Sequence, residues 1–205
     1  MNKLIINHPS DKGFSLIELL TVLSIAAIII TLSPPMISLV YTNKSTTQIH
    51  AFATSLNFAR SEAIKRGNAV TVCRTLGNSI CEGLPDSNNQ KVWDTGWMVF
   101  SDMNGNGQFN PPQDQLLQQH GALPANYSLR SNARVRITYQ AIGISPGFMD
   151  TWTLCGPGGK PAFTRGVIQA YSGRVRFAQD SNHNGIRDNG TATNNENPTE
   201  LVCNT

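Results

Sequence analysis

Charged residues are scarce in this chain: Asp, Glu, Lys and Arg make up 14% of its 205 residues, against roughly a quarter in an average soluble protein. Asn, Thr, Ser, Gln and Gly fill the gap, a composition that suits an extracytoplasmic surface. Nor does one sign dominate. Sixteen Lys and Arg against thirteen Asp and Glu leave a net charge of +3, too little for a histone-like polycation, so any nucleic-acid role must come from a local basic patch. Recognisable catalytic strings are missing too: there is no Gly-rich phosphate loop, no Gly-x-Ser-x-Gly elbow and no His-Glu-x-x-His. The isolated His50, His120 and His183 read as surface or structural residues, and no enzyme is expected. Four cysteines without a Cys-x-x-Cys pair or clustered histidines give no zinc or redox site. A small disulfide knot is excluded by length, because a chain of this size can bury one sizeable core, although two full domains would be a squeeze.

What the sequence does contain begins at the N-terminus. Residues 1–13 are polar, with Lys3, His8, Lys12 and one acid, Asp11, and Phe14 to Leu32 is then apolar except for Glu18. As a helix that run spans about 28 Å, close to the roughly 30 Å hydrocarbon core of a bilayer. A secretory signal would have a shorter apolar region followed by a small-residue cleavage site, whereas this run continues into further helical sequence. Lys3 and Lys12 place the leader on the cytoplasmic side by the positive-inside rule, which puts the bulk of the chain outside. A carboxylate in a membrane helix costs about 2.5–3.5 kcal/mol on insertion scales, so Glu18 calls for a cationic partner.

The string Gly13-Phe14-Ser15-Leu16-Ile17-Glu18-Leu19-Leu20 resembles the class III signal of type IV pilins and type II secretion pseudopilins. That resemblance implies cleavage after Gly13 by a prepilin peptidase and N-methylation of the new terminus, Phe14. It also implies that Glu18 pairs with the Phe14 amine of a neighbouring subunit during filament assembly. The expected organisation is a leader peptide over 1–13, a transmembrane helix over 14–33, an amphipathic continuation over 34–67 and a β-rich head over 68–205.

Pro34 and Pro35 remove backbone donors and should kink or locally melt the helix. Beyond them Ile49, Phe52, Leu56, Ala59 and Ala63 recur at helical spacing as one apolar stripe, and Lys65-Arg66-Gly67 reads as a basic last turn with a glycine cap. From Ala69 the pattern alternates, predicting strands at 69–73, 92–101, 116–119, 127–129, 134–139, 151–154, 167–171 and 174–177. The fold class is α+β: one long N-terminal helix packed on an antiparallel β-rich head. Many strands and a long polar tail resemble the FimT/FimU and GspH minor-pilin branch. Cys73, Cys81, Cys155 and Cys203 lie on the oxidising side, where three pairings are open; Cys73 and Cys81 flank a short loop and Cys203 would tie the tail to Cys155, so those two pairings are expected.

Two segments, Asp102-Met103-Asn104-Gly105-Asn106-Gly107 and Asp180-Ser181-Asn182-His183-Asn184-Gly185, place oxygen ligands at the first, third and fifth positions and glycine at the sixth, as in a calcium loop. The glutamate required at position twelve is replaced by Gln113 and Thr191, with Asp114 and Asp188 as partial substitutes. Asp, Asn and Gly also make tight turns, so the ligand set is incomplete and no metal is expected.

Basic residues in the second half are better organised. In Tyr171-Ser172-Gly173-Arg174-Val175-Arg176-Phe177 a Ser-Gly turn joins two strand-like runs, and period-two alternation puts Arg174 and Arg176 on one face. Arg134-Val135-Arg136 repeats the arrangement, with Lys160, Arg165 and Arg187 in neighbouring loops. Together they would form a cationic stripe for phosphates, although outward Arg on strands is also an ordinary solvated edge. Gly173-Arg174-Val175-Arg176 resembles the Gly-Arg-x-Arg motif of FimT-type minor pilins that hold extracellular DNA, which implies double-stranded DNA as a partner beside other pilins, the peptidase and the inner membrane. No cofactor is expected. The function classes are therefore a DNA-binding minor pilin near a filament tip, a purely structural or priming minor pilin, and a pseudopilin of a type II secretion system.

Overall fold

The computed structural model describes residues 13–75, 80, 81, 89, 91–189 and 199–203, without the side chains of 32–35. The leader before Gly13, Thr191 and the intervening polar tail lie outside the described residues. The chain divides into two units, Met1–Val40 and Tyr41–Thr205.

Helix α1 runs Leu16–Arg66. The Ser15 carbonyl accepts the Glu18 and Leu19 amides at 3.0 and 3.1 Å, and Thr21 and Ser24 bond back to the Glu18 and Leu20 carbonyls, which hides their hydroxyls in an apolar stretch. The helical backbone continues through Pro34 and Pro35, so the expected melting does not occur. Proline's fixed φ is itself helical; what it removes is the amide donor for the carbonyls of Ile30 and Thr31. The helix stops at Gly67, which takes φ +68° while its amide still reaches the Ala63 carbonyl at 3.0 Å. In the last turn Glu62 holds Arg66 at 2.6 Å and Lys65 at 3.5 Å, and the Arg66 hydrogen bond, ahead of any other cause, lowers the Glu62 pKa.

In the second unit Ile49, Phe52, Ala53, Leu56, Ala59 and Ala63 are buried on one side of the helix. Phe52 sits among three tryptophans, with ring centroids 5.5 Å from Trp93, 5.1 Å from Trp97 and 5.6 Å from Trp152. Aromatics are few, yet burying this cluster and its aliphatic neighbours concentrates apolar area at one point.

The strands are β1 (Ala69–Arg74), β2 (Lys91–Val92), β3 (Trp97–Asp102), β4 (Gln115–His120), β5 (Ser128–Ser131), β6 (Arg136–Tyr139), β7 (Asp150–Cys155), β8 (Arg165–Gln169) and β9 (Val175–Phe177). They form two antiparallel sheets, ordered β4-β3-β1-β6 and β2-β5-β7-β8-β9. Both close the same core through Val70, Val72, Val99 and Ile137 on one side and Leu129, Leu154 and Val167 on the other.

The largest departure from the sequence expectation is at 92–101, which is not one strand. Gly96 takes φ +106°, and a Cβ there would fall 2.2 Å from the His120 carbonyl oxygen, so the Asp94-Thr95-Gly96 turn passes the chain from the second sheet to the first. Asp94 fixes the turn by accepting the Leu129 amide at 2.7 Å and pairing with Arg130 at 2.5 Å. Expected strand 134–139 also shortens, because the Arg134 amide is drawn to Ser131 Oγ at 2.7 Å and Asp150 Oδ2 at 3.0 Å instead of a ladder partner.

Disulfides join Cys73 to Cys81 and Cys155 to Cys203, and no described cysteine is free. The Leu201 amide reaches the Arg187 carbonyl at 2.7 Å, and a β-bridge pairs Asp188 with Glu200, so residues 199–201 are laid against 187–189.

Candidate assembly helix and nucleic-acid interface

In the first unit, Phe14, Leu16, Ile17, Leu19, Leu20, Val22, Leu23 and Ile25 are all exposed, with Phe14 at 83%. An apolar surface of this extent on a lone helix requires lipid or partner helices. Its most apolar stretch has mean hydropathy 2.4, long and apolar enough to cross a membrane. Glu18 is exposed in the same belt, as a subunit-pairing carboxylate would have to be. Gly13 and Phe14 precede the helix. A Cβ at Gly13 would meet nothing within 4 Å among the described residues, so neither packing against them nor a positive φ requires glycine at that position.

The basic residues of the second half divide into groups. Arg174 and Arg176 flank Val175, which packs on the core, and both are exposed beside the edge strand β9. The turn before them is tightly built: Gly173 takes φ +76°, its amide reaches the Ala170 carbonyl at 2.9 Å, and the Ala170 amide reaches the Arg174 carbonyl at 2.9 Å. A Cβ on Gly173 would lie 2.1 Å from the Gly143 carbonyl oxygen. That same oxygen accepts Arg60 Nε at 2.9 Å. Arg60, absent from the sequence-derived candidates, therefore fixes the Gly143–Gly173 corner from the helix.

Arg176 lines a cavity of about 380 Å³ with Asn132, Asp150, Ile168 and Gln169. Burial pushes the Asp150 carboxyl pKa upward against hydrogen bonds from Ser131 and the Thr151, Ala133 and Arg134 amides. A carboxylate in this cavity works against phosphate entry.

The remaining cations do not join one stripe. Arg134 is half-buried, with its guanidinium 5.6 Å from the Phe148 ring centroid. Arg136 sits on β6 of the other sheet and packs against Gly107, where an added Cβ would be 2.6 Å from its Nε. Lys160 is exposed between two 3-10 turns, Pro157–Gly159 and Pro161–Phe163. Arg165 donates to the Ala162 and Thr164 carbonyls and to Thr46 Oγ1, and Arg187 donates to the Ala178 carbonyl. Both line a cavity of about 270 Å³ with His50 and Phe177. Burial, then the Arg187 charge, lowers the Arg165 pKa. These two guanidiniums already spend donors on holding backbone together.

Of the two calcium-like loops, the first is internally satisfied. Asp102, 1% exposed, accepts the Asn106 and Gly107 amides and the Thr71 hydroxyl. Asp114 accepts the Met103 and Asn110 amides, and Asn104 and Asn106 accept the amides two residues on. Every carboxylate oxygen there has a protein donor, as a structural turn requires.

Residues 48–173 match the family described as type II transport protein GspH, and residues 9–33 match the prokaryotic N-terminal methylation motif. No curated protein matches the chain. Among solved structures it is similar to the type IV minor pilin FimU of Pseudomonas aeruginosa PAO1, at 19% identity and TM-score 0.51, over 67% of this chain and 90% of FimU. It is more distantly similar to the minor pseudopilin EpsH of the type 2 secretion system of Vibrio cholerae, at 14% identity and TM-score 0.44, over 65% and 95% of the two chains. The FimU likeness speaks for the fold, and the GspH match spans more than half the chain. With its exposed apolar N-terminal helix and two-sheet head, the protein belongs to the GspH family of pilin-like minor pilins and pseudopilins.

Proposed function

We propose that this chain is a minor pilin of a type IV pilus, incorporated at or near the filament tip, whose head holds extracellular double-stranded DNA for uptake. Its precursor is cut between Gly13 and Phe14 by a prepilin peptidase and methylated on Phe14. Residues 14–33 hold it in the inner membrane with the head in the periplasm, and 34–67 carry the helix on into the filament. Glu18 pairs with the Phe14 amine of the neighbouring subunit, which relieves the cost of a carboxylate in hydrocarbon. The open space at Gly13, where an added Cβ would meet no described atom within 4 Å, supports a glycine kept for recognition by the peptidase.

The observation that carries DNA binding is the exposed pair Arg174, just before the edge strand β9, and Arg176, within it, following a turn that only glycine can make at Gly173. Two exposed guanidiniums two residues apart would contact phosphate oxygens without reading bases. The match to the type II transport family favours a second reading, a pseudopilin of a secretion system, in which the same arginines are a solvated edge.

Titration of the oxidised head, Tyr41–Thr205, with unrelated duplexes separates the two. DNA binding predicts weak affinity equal across sequences, with a slope of log affinity against log salt of about −2 to −4 for two to four contacts. Arg174→Gln with Arg176→Gln should abolish it. No association at low salt, or full association by the double variant, refutes the DNA reading and leaves the filament subunit or pseudopilin.

A further inference from the structure

The second calcium-like loop differs from the first in one respect that matters chemically. It is closed at its base by the Asp188 amide on the Gln179 carbonyl at 2.8 Å. Within it Asp180 accepts the Asn184 and Gly185 amides at 3.1 and 2.8 Å, Asn182 accepts the Asn184 amide and Asn184 accepts the Ile186 amide. The same scheme orders Asp102, Asn104 and Asn106 in the first loop, so both backbones wrap their oxygens alike. Asp188 then takes the part of Asp114: one carboxylate oxygen, Oδ2, accepts the amide of the loop's second residue, Ser181, at 2.6 Å. In the first loop the other Asp114 oxygen also has an amide. In the second the other Asp188 oxygen, Oδ1, is buried with no hydrogen-bond partner, on a residue 2% exposed.

A carboxylate oxygen withdrawn from water without a donor costs several kcal/mol unless a cation neutralises it. No described ion pair supplies a Lys or Arg to Asp180, Asp188 or Glu200. The twelfth position of the loop, Thr191, cannot give a bidentate carboxylate. The Asp188–Glu200 bridge brings one from elsewhere in the sequence, and Asn184 Nδ2 donates to Glu200 Oε1 at the loop's rim.

We infer that the loop Asp180–Asp188, completed by Glu200, binds a divalent cation of the calcium class. Asp180, Asn182, Asn184 and Asp188 Oδ1 supply side-chain oxygens, the Ile186 carbonyl takes the seventh loop position, and Glu200 replaces the missing twelfth-position glutamate. Among the described residues no three acidic, His or Cys side chains already converge on one point, so Glu200 turns inward from Asn184 when the ion enters. All-oxygen ligation on a deformable loop selects calcium over magnesium, which demands a rigid octahedron. The ion would fasten the segment before Cys203 to the second sheet.

The test uses the full chain in detergent micelles, stripped with a chelator and titrated with calcium chloride by calorimetry and by thermal unfolding. One ion per chain is expected, with a dissociation constant of about 10⁻⁴–10⁻³ M as in extracellular modules. Melting should rise by about 3–6 °C in 5 mM calcium if the constant is near 0.5 mM, and by less in 5 mM magnesium. Asp188→Asn should weaken binding about tenfold or more through the lost ligand charge. Asn182→Ala should also weaken it, whereas the matching first-loop change, Asn104→Ala, should not, and this pair decides the matter if Asp188→Asn fails to fold. No heat and no melting shift up to 10 mM calcium overturns the site, as does binding lost on Asn104→Ala and retained on Asn182→Ala.

Discussion

Replacing Gly173 by alanine separates what the Gly-Arg-x-Arg string does for the fold from what its arginines do at the surface. At φ +76° an alanine is in the left-handed region, which costs about 1–2 kcal/mol. Its methyl would also stand 2.1 Å from the Gly143 carbonyl oxygen, a backbone atom that cannot rotate aside. Gly143 is itself held in place, at φ +77° with its oxygen bonded to Arg60 Nε, so the corner must open. Opening it breaks or stretches the Arg60 Nε bond to the Gly143 oxygen and the Ser145 amide bond to the Tyr171 carbonyl, each of which is worth about 1 kcal/mol net. The sum is a loss of about 3–4 kcal/mol.

For a head of this size each kcal/mol lowers the melting temperature by about 2–4 °C, so Gly173→Ala should melt at least about 6 °C below wild type in circular dichroism of the oxidised Tyr41–Thr205 head. Arg174→Gln and Arg176→Gln, exposed and outside the corner's packing, should each stay within about 0.5 kcal/mol of wild type. A Gly173→Ala head melting within 2 °C of wild type would refute the close approach on which the turn argument rests. The same experiment guards the DNA assay, because a glycine variant that loses binding has lost its fold at that corner and says nothing about phosphate contacts.

Assembly gives a further prediction: Glu18→Ala leaves an excellent membrane helix, so the variant should insert normally yet be missing from sheared filaments by immunoblot, while Gly13→Ala should accumulate full-length precursor by intact mass. Normal incorporation of Glu18→Ala would remove the pairing role. The disulfides should differ in weight. By chain entropy the Cys155–Cys203 bridge, separation 48, contributes about 4 kcal/mol and the Cys73–Cys81 bridge, separation 8, about 2.5 kcal/mol. The double Cys→Ser variant of the long bridge should therefore show the lower urea midpoint, and equal midpoints would contradict that ordering.

Much of the α+β architecture was legible because its signals are local. The apolar run with its single Glu18, the stripe Ile49-Phe52-Leu56-Ala59-Ala63 and the glycine stop at Gly67 each depend on residues within one or two turns of one another. What stayed hidden was set by partners far along the chain. The strand expected over 92–101 contains no Pro and no Asn-Gly; it breaks because His120 crowds Gly96 and because Leu129 and Arg130 converge on Asp94. Arg134 reads as a strand residue by alternation, but Asp150 and Ser131 draw its amide away from the ladder.

The same distinction governs which arginines can act on a partner. A guanidinium has five donors and no acceptor, and sequence spacing does not reveal how many of them the backbone already uses. Arg165 gives three bonds to the protein, two of them to carbonyls beside its own strand, and Arg60 gives its Nε to a carbonyl 83 residues away. Arg174, by contrast, follows a turn whose geometry is fixed by Gly173 and lies beside an edge strand with solvent on its outer side. Charge pattern alone therefore overstates the cationic surface: it counts Arg165 and Arg187, whose donors backbone carbonyls take, with the same weight as the exposed Arg174, and it passes over Arg60. Sorting them requires the carbonyl oxygens, whose positions follow from the two sheets and not from any local string.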